Sequence, residues 1–258
     1  NKELKKKAFY SLILVANAMN DSNELIKLSN SFRKEYPNSD YQEEISYMLA
    51  SNYEINGMSE KALIEYETLY NMTTDKDTKE ETVKRIMEML YNKKDYSNAL
   101  NWSKKISEDS YKNYWIGQIL YNTNKDESIK YFEKLSSDKE YGELVNYKIG
   151  TYYFDKKEFK KSRIFFEKVL LNKNSEDFIN AKYNIALTYE EEADYKKAIN
   201  TYLEIKNSKN SIDDILLLRI AENYEYLKDL NNSFKYLKEY FDKYKNKNDY
   251  LYVTEKIL

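Results

Sequence analysis

The sequence predicts an all-α chain, a right-handed superhelical solenoid of about seven helix–turn–helix repeats. Three observations predict it. One proline and four glycines in 258 residues are too few turn formers for a β-sandwich or a loop-rich α/β fold. Apolar residues recur at the three-to-four spacing of a buried helix face. A small or apolar residue with similar surroundings also recurs as Ile13, Ala50, Met87, Gly117, Gly150, Ala186 and Ala221, at steps of 37, 37, 30, 33, 36 and 35. A hairpin of that size cannot bury its apolar face alone, so the copies must stack.

Each of these anchors sits in the first helix of a repeat. Three residues later comes a large side chain: Tyr53, Leu90, Leu120, Tyr153, Tyr189 or Tyr224, with Ala16 as the exception in the first repeat. Twelve residues after the anchor comes the anchor of the second helix: Leu25, Ala62, Ala99, Ser162, Ala198 and Ser233. In the fourth repeat Ser128 arrives after eleven, so that turn is one residue shorter. Seven residues further lie Phe32, Leu69, Ile106, Leu135, Val169, Ile205 and Tyr240. Spacing within a repeat is nearly constant while spacing between repeats varies, as hairpins joined by adjustable loops require. The repeats span 6–39, 43–76, 80–109, 110–142, 143–176, 179–211 and 214–246 of a single 1–258 solenoid domain, and 249–258 opens a further or capping helix.

This register resembles the tetratricopeptide repeat, whose unit carries small residues where its two helices touch and aromatics beside them. The likeness covers roughly residues 6–246, and is plainest in repeats two, five, six and seven. Repeats one, three and four depart from it at Ala16, Ser103 and the short turn before Ser128. Pro37 alone matches the family's closing proline, and Gly57 stands in its turn, where a positive backbone angle is often needed. The resemblance implies a protein or peptide partner. At the first junction Phe32, Tyr36, Pro37, Ser39 and Tyr41, followed by Leu49, Ala50 and Tyr53, resemble bacterial envelope repeat proteins. These are of the barrel-assembly lipoprotein and Tol–Pal coordinator types, which implies a periplasmic or outer-membrane-associated location.

Composition bounds the rest. Charged residues make up 33% and hydrophobic ones 41%, enough for a core. Lys plus Arg number 42 and Asp plus Glu 44, a net charge of −2 that gives no bulk attraction for nucleic acid or an anionic membrane. No apolar run approaches the ~20 residues of a membrane span. Lys5 to Lys7 followed by AFYSLILVANA has the layout of a signal peptide, but the register makes it the first helix of the first repeat. The chain begins at Asn1, which is expected of a mature or excised fragment.

Cysteine and histidine are both absent, which removes disulfides, thiolate chemistry, the commonest general base and the usual zinc ligands. With glycines at 57, 117, 142 and 150, neither G-x-G-x-x-G nor a P-loop can be written. Asp75, Asp77 and Lys79 have calcium-loop spacing without the loop glycine, and read as a solvated loop. Glu190, Glu191, Glu192 and Asp194 read as an acidic turn with no apolar pocket to shift a carboxylate. Lys156, Lys157, Lys160, Lys161 and Arg163 read as a solvated basic face. Asn71-Met72-Thr73 and Asn101-Trp102-Ser103 are glycosylation-type triplets that carry little weight in an asparagine-rich chain, and the second reads as accidental because Ser103 falls on a second-helix packing position. The chain is therefore expected to be no enzyme and to need no cofactor or metal.

Function is expected on the concave face lined by first helices. Three residues before each anchor stand Tyr10, Tyr47, Lys84, Tyr114, Tyr147, Tyr183 and Leu218, five tyrosines of seven. Four residues after the anchor stand Glu54, Tyr91, Tyr121, Phe154, Glu190 and Glu225 in repeats two to seven, with Glu88 and Glu222 one residue after theirs. These residues compose the candidate groove, aromatic along its length with acidic ends, and suited to a peptide carrying lysine or arginine. The same tyrosines also have the size to fill space between neighbouring first helices. Lys84 is the one residue that fits a Lys/Asn carboxylate clamp, so that clamp is not expected. The reading is a non-catalytic interaction scaffold in a bacterial envelope. The alternatives are a cytoplasmic peptide-responsive regulator and the helical arm of a larger enzyme.

Overall fold

The computed structural model describes residues 2–208 and 212–244. The further or capping helix expected at 249–258 lies outside them. Among the described residues all regular structure is helical. The order is α1 (Lys2–Ala18), α2 (Ser22–Glu35), α3 (Gln42–Ile55), α4 (Ser59–Met72), α5 (Lys76–Asn92), α6 (Tyr96–Ser103) and α7 (Asp109–Tyr121). It continues with α8 (Lys125–Lys134), α9 (Gly142–Asp155), α10 (Phe159–Val169), α11 (Phe178–Glu191), α12 (Tyr195–Lys206), α13 (Asp213–Tyr226) and α14 (Leu230–Lys243). These are seven consecutive hairpins, in the register expected of the sequence. The chain groups into two compact units, residues 1–128 and 129–258.

Within the first unit α1 packs on α2, α3 on α4 and α5 on α6, and each later first helix also rests on the second helix before it, α3 on α2 and α5 on α4. The second unit repeats this with α9 on α10, α11 on α12 and α13 on α14, and with α11 on α10 and α13 on α12. All seven first-helix anchors are buried, as are the seven second-helix anchors from Leu25 to Ser233. The third set, Phe32 to Tyr240, is buried too, although Ile106 and Leu135 lie just past the ends of the short helices α6 and α8. Where the second-helix anchor is serine, its hydroxyl ties the hairpin together. Ser162 Oγ donates to the Gly150 carbonyl at 2.8 Å, and Ser128 Oγ donates to the Gly117 carbonyl at 2.7 Å.

The turns share a backbone device that the sequence marks at Gly57 alone. Asn20, Gly57, Lys94, Lys157, Ala193 and Lys228 all have φ between 55° and 71°, and each stands seven residues past its anchor. Each closes its helix with the same pair of bonds. In the second repeat the amide of Met58 donates to the Tyr53 carbonyl at 2.8 Å, and that of Gly57 donates to Glu54 at 3.0 Å. In the sixth, Asp194 donates to Tyr189 and Ala193 to Glu190, both at 2.8 Å. The residue after the left-handed one then begins the second helix. Asp21, Asp95, Asp194 and Asp229 each accept a hydrogen bond there from the amide three residues on. The fourth turn has no left-handed residue, and Asn124 caps α8 one position earlier.

Between hairpins, Arg33 of α2 donates to both oxygens of Glu65 on α4, at 2.8 and 2.7 Å, and to Ser46 on α3 at 2.7 Å. One guanidinium thus joins three helices.

Two stability predictions follow from these contacts. A left-handed residue with a Cβ costs about 1–2 kcal/mol, partly offset in glycine by greater freedom of the unfolded chain. Ala193→Gly and Lys157→Gly should therefore raise the unfolding free energy by a net ~0.5–1 kcal/mol, and Gly57→Ala should lower it, as read from urea unfolding followed by far-UV circular dichroism. Gly150→Ala should destabilise by about 1–3 kcal/mol, because its Cβ would lie 2.7 Å from the buried Phe166 ring.

Candidate partner-binding groove

In the first unit, the stacking of α1, α3 and α5 places their exposed sides around one open cavity of about 700 Å³. Tyr10 and Leu14 come from α1, Glu43, Glu44, Tyr47 and Met48 from α3, and Asp77, Thr78 and Glu81 from α5, with Leu69 of α4 also in the lining. Leu14 and Tyr47 expose apolar surface here, at 42% and 45% of their area. Four carboxylates surround them and the lining contains no Lys or Arg. Glu81 has an ion pair with Arg85 one turn along the same helix, at 3.5 Å between exposed side chains. Such a pair contributes only a few tenths of a kcal/mol, roughly 0.3–0.5, and leaves the carboxylate hydrated.

Of the candidate residues, Tyr10 and Tyr47 are brought together here. Tyr10 is buried (8% exposed), stacked on Tyr41 with ring centroids 4.0 Å apart, and its hydroxyl donates to the Glu44 carboxylate. It forms the floor of the cavity, and Tyr47 stands free of that packing at its side. Asp77 was expected on a solvated loop but lies in the first turn of α5, and Asp75 caps that helix by accepting from the Thr78 amide at 2.8 Å. Those bonds hold the Asp75 carboxyl below its usual range.

The other candidates of the first unit meet neighbours within it. Tyr91 packs edge-on against Tyr96 and Trp115, at 5.7 and 5.2 Å between centroids. Tyr114 meets Trp115 at 5.9 Å, and Lys125 sits over the Tyr121 ring at 5.0 Å. Glu54 accepts from the Tyr66 hydroxyl at 2.7 Å, and Glu88 accepts from Tyr111. Lys84, in the tyrosine column, pairs with Glu108 at 2.9 Å beneath the Tyr111 ring.

In the second unit, Tyr147 packs on Phe166 at 5.6 Å and accepts a hydrogen bond from Asn184 of α11 at 3.1 Å. Phe154 meets Phe159 across the hairpin turn at 5.6 Å, and Tyr183 meets Tyr202 at 5.5 Å. Glu225 accepts from Ser233 at 3.3 Å. Arg219 lies between Glu190, at 3.4 Å, and Glu222, at 3.9 Å.

Two expectations about charge need correction. Glu190 is not on a solvated turn. It belongs to α11, its side chain is 14% exposed, and it accepts from Asn223 of α13. Burial raises its carboxyl above the ordinary value near 4.5, opposed by the Asn223 bond and the Arg219 charge. Nor is Arg163 part of a solvated basic face. It pairs with Glu192 at 2.7 Å, donates to Thr188 at 3.0 Å and covers the Tyr189 ring at 4.5 Å. The four lysines of that run are exposed.

Sequence reading passed over Leu14, Glu43, Glu44 and Glu81, and took Asp77 for a loop residue. A usable signal was present: Glu44 and Glu81 stand six residues before their anchors, one helical turn from the tyrosine column. Among the described residues no group of three His, Cys, Asp or Glu side chains is placed to hold a metal ion, and no helix is long and apolar enough to cross a membrane.

Residues 179–210 match the family model of the tetratricopeptide repeat. No curated protein matches the chain by sequence. Among solved structures, the chain is similar to the C-terminal part of a tetratricopeptide repeat-containing protein from Cytophaga hutchinsonii, with a TM-score of 0.70 and 19% identity over 95% of this chain and 98% of that one. It is also similar to MamA, with a TM-score of 0.56 and 16% identity over 68% of this chain and 96% of that one. PilW, described as a type IV pilus biogenesis factor, aligns with a TM-score of 0.53 and 16% identity over 84% of this chain and all of that one. The residues at 179–210 are a tetratricopeptide repeat, and the chain has the fold of proteins built from such repeats.

The Glu190 environment predicts a pH dependence. A carboxyl whose folded pKa is raised stabilises the fold while protonated, and that contribution is lost as pH rises through the raised value. Urea unfolding of wild type should therefore lose stability from pH near 4.5 toward neutral relative to Glu190→Gln. Parallel profiles for the two proteins would contradict this.

Proposed function

We propose that the chain is a non-catalytic scaffold that holds a protein or peptide segment on the first-helix face of its first unit, in a bacterial envelope. The fold of tetratricopeptide repeats is one of interaction surfaces, and that is the general support for a scaffold. The observation that carries the specific reading is the cavity between α1, α3 and α5. It pairs exposed Tyr47 and Leu14 with Glu43, Glu44, Asp77 and Glu81. Tyrosine offers large contact area at low side-chain entropy cost, and the carboxylates select a segment carrying Lys or Arg beside an apolar side chain. The envelope location is supported by the Tyr36-Pro37 junction, which the structure forms as the link from α2 to α3.

A scaffold of this kind is tested with peptides selected by display against the immobilised chain. The selected peptides should be enriched in Lys or Arg next to an apolar residue. Tyr47→Ala and Glu81→Gln should each weaken their binding about tenfold while helix content is unchanged. Selection of acidic peptides, or binding that survives both substitutions, would remove this reading of the groove.

A further inference from the structure

Three lysines converge on a second, smaller cavity of the first unit, of about 190 Å³, where α4 ends, α5 begins and α6 ends. Helices of this chain continue on both sides of it, α3 against α4 and α7 against α6. Tyr70 of α4 forms a wall, Lys76 and Lys79 come from the first four residues of α5, and Lys105 follows α6. Lys79 and Lys105 both lie over the Tyr70 ring, at 4.8 and 4.5 Å from its centroid. That holds the two charges within about 10 Å of each other, a Debye length in moderate salt. Lys105 is also 3.5 Å from the centre of the Trp102 ring, which meets Tyr70 edge-on at 5.0 Å. Aromatic faces hold an ammonium group in place without neutralising it.

The carboxylates nearby are engaged elsewhere. Glu80 lines the cavity but accepts from the Ser107 amide at 3.0 Å and the Ser107 hydroxyl at 2.6 Å. Asp75 caps α5, Asp77 lines the first-helix groove, Glu81 pairs with Arg85 and Glu108 pairs with Lys84. Lys76, Lys79 and Lys105 therefore make no ion pair among the described residues, whereas Lys27, Lys84, Lys93 and Lys112 of the same unit all do. Lys76 and Lys79 also stand in the first turn of α5, where the helix dipole disfavours positive charge, so the fold gains little from them.

Charge and geometry select the occupant. Backbone amides of the kind that receive phosphate are already taken here, Thr78 by Asp75 and Ser107 by Glu80. Separate ammonium groups around an aromatic wall suit carboxylates spaced along a chain. A long polyanion such as nucleic acid would also meet Asp77 and Glu81, which belong to the same first turns of α5. We propose that this end of the second and third hairpins binds an acidic stretch of a protein partner, with Asp or Glu side chains on Lys76, Lys79 and Lys105 and apolar contact to Tyr70. Tyr70 and Trp102 belong to second helices, so the site is separate from the first-helix groove and does not rest on the reading given for it.

Trp102 supplies the probe. In a Trp115→Phe background it is the one remaining tryptophan, and its fluorescence at low salt should respond saturably to a capped hexaglutamate peptide. Lys79→Gln combined with Lys105→Gln should weaken that binding about tenfold or more. Lys105→Arg should retain it, and Lys93→Gln, elsewhere on the surface, should leave it unchanged. Lys93 and Lys105 are exposed, so circular dichroism of the variants should match the parent. Absence of a saturable response overturns the proposal, as does an affinity that the double substitution leaves intact or that Lys93→Gln lowers equally. Inorganic phosphate that displaces the peptide at equal concentration would make this a free-anion site. Tighter binding of a short oligothymidylate would make it a nucleic-acid site. Either result overturns the assignment to a protein partner.

Discussion

The fold depends on the close approach of the two helix anchors of each hairpin, which most of its turns set through one repeated backbone closure. Seven residues past the first-helix anchor the chain enters the left-handed region, and the next residue starts the second helix. That fixes the distance from one anchor to the other at twelve residues, so that Gly150 meets Ser162 and Ala186 meets Ala198 at close range. Proximity is then enforced from both sides. At Gly150 there is no room for a Cβ, and at Ser162 the hydroxyl reaches the opposite carbonyl. The fourth repeat shows which of these matters more. Its turn lacks the left-handed residue and is one residue shorter, yet Ser128 still bonds Gly117 as Ser162 bonds Gly150. The anchor contact is kept and the turn adapts to it.

Tyrosine abundance follows from the same stacking. A first helix must cover the second helix of its own hairpin and also end near polar groups at the surface, and a phenol does both. Tyr10 covers Phe32 and reaches Glu44, Tyr147 covers Phe166 and bonds Asn184, and Tyr153 stacks on Phe165 while donating to Glu133 at 2.9 Å. Burial and that carboxylate push the Tyr153 phenol up to about 12. Tyr47 is the column member whose ring faces the cavity with nearly half its surface open. A residue column can therefore be chemically uniform while its members have different tasks.

The division between what was legible and what was not is physical. Apolar periodicity reports burial directly, and every anchor from Ile13 to Tyr240 was readable for that reason. Left-handed residues were not readable, because only Gly57 has the side chain that signals them, whereas Asn20, Lys94, Lys157, Ala193 and Lys228 are held there by the closure itself. The candidate groove was partly readable. A column identifies which side of a helix a residue occupies but not what the next hairpin places over it. Glu190 looked like a surface acid at a turn because Asn223 and Arg219, 33 and 29 positions later, cannot be seen from the local sequence.

What sets the first-unit cavity apart is how little of its charge is answered from within. In the second unit Arg219 stands between Glu190 and Glu222, and Arg163 holds Glu192. In the first, Arg33 is engaged by both oxygens of Glu65 and by Ser46, and it is not among the residues that line the cavity. Water is left to solvate the carboxylates around Tyr47. Such a field attracts cations over about 8–10 Å at physiological salt and fades at higher salt. The contact area of Tyr47 and Leu14 does not depend on salt in that way. A segment held here is therefore drawn in by charge and retained by apolar contact, and the two contributions act on different side chains of the same cavity.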